Sequence, residues 1–459
     1  MRHLWKVLVL AALSVALSRP ANSQNANNFI LQSPSLAQAQ AACQTYGLTL
    51  VSTIHAPDTY LVQASASVSA HQLTQWTKHD PNVKKIEPSA TLSVPENDKV
   101  APNASTPTYP STNVLATGAL AKLYGSSAWL GYAQQPAVTS INATAVIQGN
   151  HGAGIVAIID TGVDPQNVLL APVLVPGYDF TTNTAGFASE LGDVNQSTAH
   201  ILFQSTAHIL FGVQAVPIGG TGVGLFDSGT ASSLNSNAIP NDFGHGTMVA
   251  GLIHLVAPGA QIMPLKAFQA DGSADESNVI AAIYYAADHG ASVINMSFGF
   301  PDISDALMKA INYASRKGVV CVASVGNESK AALVYPAAFG NVIGVASVSN
   351  QNQLSSFSNY GPDMVTVAAP GEALVTTYPG NHYAVVWGTS FSAALVSGAT
   401  DLLIQAAKDN LAGELQEADF ARALKHAQAC ITDGSVGAGC VDLNQAMKFI
   451  QSMKMQGTK

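Results

Sequence analysis

Charged residues are scarce in this chain: 10% of 459 residues, with 19 Lys and Arg against 28 Asp and Glu and a net charge of −9. The basic residues are scattered rather than clustered, so nucleic acid and anionic membrane surfaces are not expected as partners. Cysteine is scarcer still, at four residues, Cys43, Cys321, Cys430 and Cys440. None has the partner spacing of a metal site. Long apolar runs are absent except at residues 7–17, VLVLAALSVAL, which follow Arg2, His3 and Lys6 and precede the small-residue stretch Ala21-Asn22-Ser23. That run is short for a membrane span and has the charge, apolar core and cleavage chemistry of a secretory signal. Losing residues 1–23 removes three cations, Arg2, Lys6 and Arg19, and no acid, taking the net charge from −9 to −12. A secreted or periplasmic product without a membrane anchor is therefore expected. In an exported protein Cys430 and Cys440, which flank a glycine-containing loop, are the expected disulfide, with Cys321 a buried thiol.

From residue 154 onward, apolar runs alternate with amphipathic stretches. Strands are expected at 154–159, 261–267, 292–297, 319–324 and 342–348, and helices at 245–256, 277–289, 304–317, 389–407 and 417–426. Strands apolar on both faces suit a mainly parallel sheet covered by helices on each side, an α/β fold. Ahead of it, residues 24–97 read as strand, helix, two strands, helix and strand, the βαββαβ order of a ferredoxin-like α+β domain. Residues 98–117, rich in Pro, Ser and Asn, read as an exposed linker, and 118–459 as the large domain. Residues 182–240 look like an insertion, in which Gln196 to Phe203 recurs unchanged as Gln204 to Phe211. A duplicated surface segment is the plain reading; a metal site using His200 and His208 is the alternative. The glycines Gly219, Gly220, Gly222 and Gly224 lack the Lys-Ser/Thr ending of a phosphate loop.

Three residues stand at element ends in the order Asp, His, Ser. Asp160 follows the first strand in IIDTGVD, His245 opens a helix in GHGTMVAGLI, and Ser390 opens another in GTSFSAALVSG. Strand ends are where sites gather in parallel α/β sheets. A serine hydroxyl is a poor nucleophile at neutral pH. An imidazole must take its proton, and a carboxylate must hold the imidazole's tautomer and stabilise its cation.

With the further blocks VINMSFG and VASVGNE, these motifs over residues 120 to 450 resemble the subtilisin-like serine proteases, the subtilases. The resemblance implies a three-layer subtilisin-like fold with Asp160, His245 and Ser390 as catalytic triad. It also implies that Asn327, with the Ser390 N–H, is the oxyanion donor. Ser297, Phe298 and Gly299 would pair with an extended peptide substrate. Val334 would form the floor of the first specificity pocket and Glu328 its rim, favouring small or medium apolar residues. Residues 24–97 would be a propeptide that assists folding and inhibits. No cofactor is needed for the chemistry, structural calcium is common in the family, and a monomer is expected. One departure stands out: four residues beyond the serine the family usually has proline, and this chain has Ala394. Two functions follow, a secreted endopeptidase that processes itself or a catalytically silent fold that only binds peptides.

Overall fold

The computed structural model describes residues 27–94, 120–194, 209–210, 213–217, 240, 242–410, 417–428, 430–431 and 434–456. The expected signal, the linker, His200, His208 and the glycine run at 219–224 lie outside the described residues.

The N-terminal module runs β1 (Asn27–Gln32), α1 (Leu36–Tyr46), β2 (Thr49–His55), β3 (Thr59–Ala64), α2 (Ala70–Thr77) and β4 (Lys85–Pro88), with a short β5 (Thr91–Ser93) beyond. Ser35 caps α1 by accepting from the Gln38 N–H at 3.3 Å, and Ser69 with Gln72 forms a capping box on α2. The sheet order is β2-β3-β1-β4, with each pair antiparallel. This is the ferredoxin-like arrangement. Alternation along β1 divides its side chains. Phe29 and Leu31 fill the module's own core, while Ile30 faces the other way into the core of the large domain.

The large domain is built on β6 (Ile155–Asp160), β7 (Gly177–Asp179), β8 (Thr184–Gly186), α3 (His245–Val256), β9 (Gln261–Lys266), β10 (Ser273–Asp275), α4 (Glu276–Asp288), β11 (Val293–Met296), α5 (Asp305–Arg316), β12 (Val320–Ser324), β13 (Ile343–Val348), β14 (Val367–Pro370) and α6 (Thr389–Asn410). Its main sheet has the order β8-β7-β9-β6-β11-β12-β13-β14, parallel except for the β8–β7 pair. Val156 and Ile158 point to the face covered by α3 and α6, and Ala157 and Ile159 to the face covered by α4 and α5. Burial on both faces is why these strands are apolar throughout. The result is a three-layer α/β fold.

Element bounds match the sequence reading to within a few residues. Among others it missed β5, β7, β8, β10, β14, the hairpin Leu120–Leu123 with Ser126–Trp129, the short helices Leu130–Ala133, Pro136–Ser140 and Thr144–Gly149, the hairpin Leu374–Tyr378 with His382–Val386, and the helix Leu443–Gln456. Within the insertion, Val213–Pro217 pairs with His382–Val386 and so extends that hairpin. Cys430 and Cys440 are joined, with Cα atoms 5.7 Å apart, while Cys43 and Cys321 are buried. Among the described residues no helix is long and apolar enough to cross a membrane.

The module docks on α4 and α5 through polar contacts at its rim. The Glu87 carboxylate accepts from the Ala306 N–H at 2.7 Å, the Ser304 hydroxyl at 3.2 Å and the Asp305 N–H at 3.3 Å. It thereby sits at the positive end of the α5 dipole, where an anion is favoured. The His55 ring stacks on Tyr284 with centroids 3.8 Å apart, and Lys309 pairs with Asp58 at 2.7 Å.

Candidate active site

Asp160 ends β6, fourth of the eight strands across the main sheet, and its carboxylate is buried. His245 begins α3 after Gly244, whose φ of 90° turns the chain into the helix. The His245 Nδ1 lies 2.8 Å from Asp160 Oδ1 and 3.0 Å from Oδ2. A carboxylate in that place makes Nδ1 the protonated nitrogen and directs Nε2 to act as the base. The Thr161 N–H also donates to Asp160 Oδ1, at 2.7 Å. The close approach of α3 to this turn needs glycine at 246, because a Cβ there would lie 2.1 Å from the Gly162 carbonyl oxygen.

Ser390 is the second residue of α6. Its Oγ donates to the Ser297 carbonyl at 3.4 Å, and the Ser297 hydroxyl donates to the Ser390 carbonyl at 3.2 Å. The helix start is brought to the imidazole by Phe391, whose ring centroid is 5.5 Å from that of His245. Asn327 follows β12. Its Oδ1 accepts from both the N–H and the hydroxyl of Thr389, each at 2.9 Å. Those two bonds assign the amide: the carbonyl end is committed to α6, so the NH₂ donors face away from Thr389. Ala394, buried within α6, continues the helix without interruption.

A peptide segment already lies in the cleft beside these groups, and it belongs to the chain itself. β5 pairs antiparallel with β10, the Val94 N–H donates to the Gly272 carbonyl at 3.1 Å, and Ser93 bridges Gly299 antiparallel on the other side. Residues 91–94 are thus a strand added between two edges, with Leu92 and Val94 buried. Next to them is a cavity of about 310 Å³ lined by Ser93, Gly299, Glu328, Lys330 and Val334 among others. Val334 closes on the strand segment: a Cβ on Gly299 would lie 2.4 Å from Val334 Cγ1. Glu328 is held at the wall by the Asn359 side-chain amide. Phe298, by contrast, turns its ring into the core, 5.1 Å from Phe268, so only its backbone faces the cleft.

Sequence reasoning did not find Thr389, Thr161, Thr247, Glu190 or Lys266 around the site. Threonines inside motifs and acids inside an insertion carry no spacing signal of their own. Among the described residues no group of three or more His, Cys, Asp or Glu is placed to hold a metal ion, so no residue here is assigned to calcium.

Comparison with known proteins shows the family of this chain. Residues 152–445 match the subtilase family (Peptidase_S8). A thermophilic serine proteinase of Bacillus sp. (strain AK1) is 35% identical over 58% of this chain and 55% of its own length. Thermitase of Thermoactinomyces vulgaris is 35% identical over 54% of this chain and 74% of its own. The chain thus spans about half the length of the first of these relatives. Among solved structures, fervidolysin of Fervidobacterium pennivorans, a keratinolytic enzyme related to subtilisin, superposes with a TM-score of 0.65 at 21% identity, over 92% of this chain and 61% of its own, a likeness of fold. With a family match over more than half its length, this chain belongs to the subtilases.

Proposed function

We propose that the chain is the precursor of a secreted serine endopeptidase: signal peptide 1–23, inhibitory propeptide 24–97, linker 98–117 and peptidase domain 118–459. The observation that carries this reading is the strand of residues 91–94 lying between Gly272 and Gly299, with the Asp160–His245 pair, Ser390 and Asn327 at the same end of the sheet. A cleft that holds one extended peptide through backbone bonds can hold others, because those bonds do not depend on side chains.

In the reaction, Ser390 Oγ attacks the carbonyl carbon of the scissile bond while His245 Nε2 takes the hydroxyl proton. The oxyanion accepts from the Asn327 amide and the Ser390 N–H. His245 then gives the proton to the leaving amine, and water, activated by the same imidazole, hydrolyses the acyl-enzyme. Protein or peptide substrates are the partners, and the propeptide is the chain's own inhibitor. The decisive test is covalent labelling by a fluorophosphonate. Stoichiometric labelling mapped to Ser390 in the processed protein is expected. A folded, processed protein that resists the reagent would make this a peptide-binding subtilase without turnover.

Val334 narrows the pocket beside Gly299, so small and medium apolar residues should be preferred ahead of the cut. Val334→Gly removes three carbons from that wall. Cleavage after Phe or Tyr relative to Ala or Val should rise about tenfold, the scale of one or two methylenes in a pocket. An unchanged ratio in a peptide panel removes Val334 from the pocket.

A further inference from the structure

Behind the Asp160–His245 pair lies a carboxyl group that the peptide reaction does not use directly. Glu190 stands in the short turn Glu190–Asp193 and is 0% exposed. Its two oxygens reach two different elements. The Thr161 hydroxyl donates to Oε2 at 3.1 Å, and the Thr247 hydroxyl donates to Oε1. Thr161 directly follows Asp160, and Thr247 is two residues beyond His245.

Each hydroxyl is itself oriented by a backbone donor. The Gly246 N–H donates to Thr161 Oγ1 at 3.1 Å, and the Asp164 N–H donates to Thr247 Oγ1 at 2.8 Å. A hydroxyl has one hydrogen, and with its oxygen already accepting, that hydrogen is aimed at Glu190. The bridge therefore runs from the turn after β6 to the first turn of α3, across the point where Gly246 meets Gly162. Lys266 on β9 braces the same turn from its other side, donating to the carbonyls of Thr161 at 2.8 Å and Phe268 at 2.7 Å and to Asp193 at 2.6 Å.

We propose that Glu190 is a positioning residue that clamps the Asp160 turn to the His245 helix and so sets the carboxylate–imidazole geometry. The proposal rests on the reading of Asp160 and His245 as orienter and base. Without Glu190 the two segments would still be joined by the Gly246–Thr161 and Asp164–Thr247 bonds and by Asp160–His245, but both hydroxyls would lose the shared acceptor that fixes them relative to each other. A displacement of a fraction of an ångström there is enough to slow proton transfer.

The titratable groups facing Glu190 are Asp160 and Asp164 from the strand end, Lys266 from β9, and the neutral phenol of Tyr378. Burial pushes its carboxyl up to about 8; the two aspartates add to the rise, while the Thr247 hydroxyl and Lys266 oppose it. Only the ionised carboxylate accepts from both hydroxyls without an O–H of its own to place, so the clamp is complete on the alkaline side of that titration.

The test uses the full processed protein and two readouts, the rate of Ser390 labelling by a fluorophosphonate across pH and the titration of the His245 ring followed by NMR. Glu190→Gln is nearly isosteric but cannot accept both hydroxyl hydrogens. Where Glu190 is ionised it should slow labelling about tenfold or more, leave peptide KM within about twofold, and shift the His245 midpoint. Thr161→Val should do the same from the other end of the bridge, and Thr161→Ser should restore wild-type rates; this pair decides the question if Glu190→Gln fails to fold. Labelling and titration both unchanged in folded Glu190→Gln, or in Thr161→Val, overturn the clamp. A wild type that is never labelled, while Glu190→Gln still moves the His245 midpoint, overturns the protease reading and leaves the clamp standing.

Discussion

Purified Ser390→Ala is expected to retain residues 24–97, whereas wild type of the same preparation yields a product beginning near residues 98 to 120. The substitution removes one oxygen and little volume from a buried residue at the start of α6. The fold, the docked module and the strand of residues 91–94 should therefore survive, and what is lost is the nucleophile. Turnover of an added peptide should fall about 10⁶-fold, as it does on loss of the nucleophile in subtilisin. Residues 91–94 lead from the module straight into the cleft, so the bond to be cut follows them along the chain. Intact precursor in Ser390→Ala and cut product in wild type, with no other protease present, is the expected gel pattern, with the cut located by N-terminal sequencing. Identical processing of both would remove self-cleavage from the proposal. The separated segment 24–97 should also inhibit the mature enzyme in trans. Leu92, Val94 and Ile30 bury apolar surface against the large domain, and Glu87 caps α5.

How much of this was legible from the sequence differs by physical cause. The buried parallel strands were plain because a sheet covered on both faces leaves uninterrupted apolar runs such as Val156 to Ile159. Asp160, His245 and Ser390 stood out as candidates because chemistry restricts their types and the turns around them fix the neighbouring glycines, as Gly246 shows. Asn327 needed the family pattern, since Gly-Asn by itself is an ordinary turn. The bonds from Thr389 that aim its amide are long-range and leave no trace in local spacing. β5 escaped for a related reason: three residues paired with a strand about 180 positions away have no periodicity to read. The motif assigned Ser297, Phe298 and Gly299 to the substrate edge through their backbone; strand alternation sends the Phe298 ring to the core, and Gly299 bridges Ser93. Glu190 could not be found at all from sequence, because an acid in an insertion reads as solvated surface until the fold buries it.

Asn327→Leu is expected to lower kcat by about 10² to 10³ with little change in KM, the cost known for losing this donor in subtilisin. The argument turns on which end of the amide does what. Oδ1 anchors the start of α6 by accepting twice from Thr389, and that bond is present before any substrate arrives. In the proposed mechanism the NH₂ end meets the charge that develops on the carbonyl oxygen only as Ser390 attacks. A donor that meets charge only in the transition state raises kcat and leaves ground-state binding alone. Leucine removes both ends at once, so a fall in kcat by itself would also follow from a loosened helix start. Asn327→Asp separates the two. Aspartate keeps an acceptor for Thr389 and so keeps the helix anchored, but it offers no donor and places negative charge where the oxyanion forms. If stabilising the oxyanion is the role, Asp should fall at least as far as Leu in kcat while its melting temperature stays closer to wild type. Recovery of most of the activity in Asn327→Asp would mean that Asn327 serves the helix rather than the reaction, and the oxyanion would then rest on the Ser390 N–H alone.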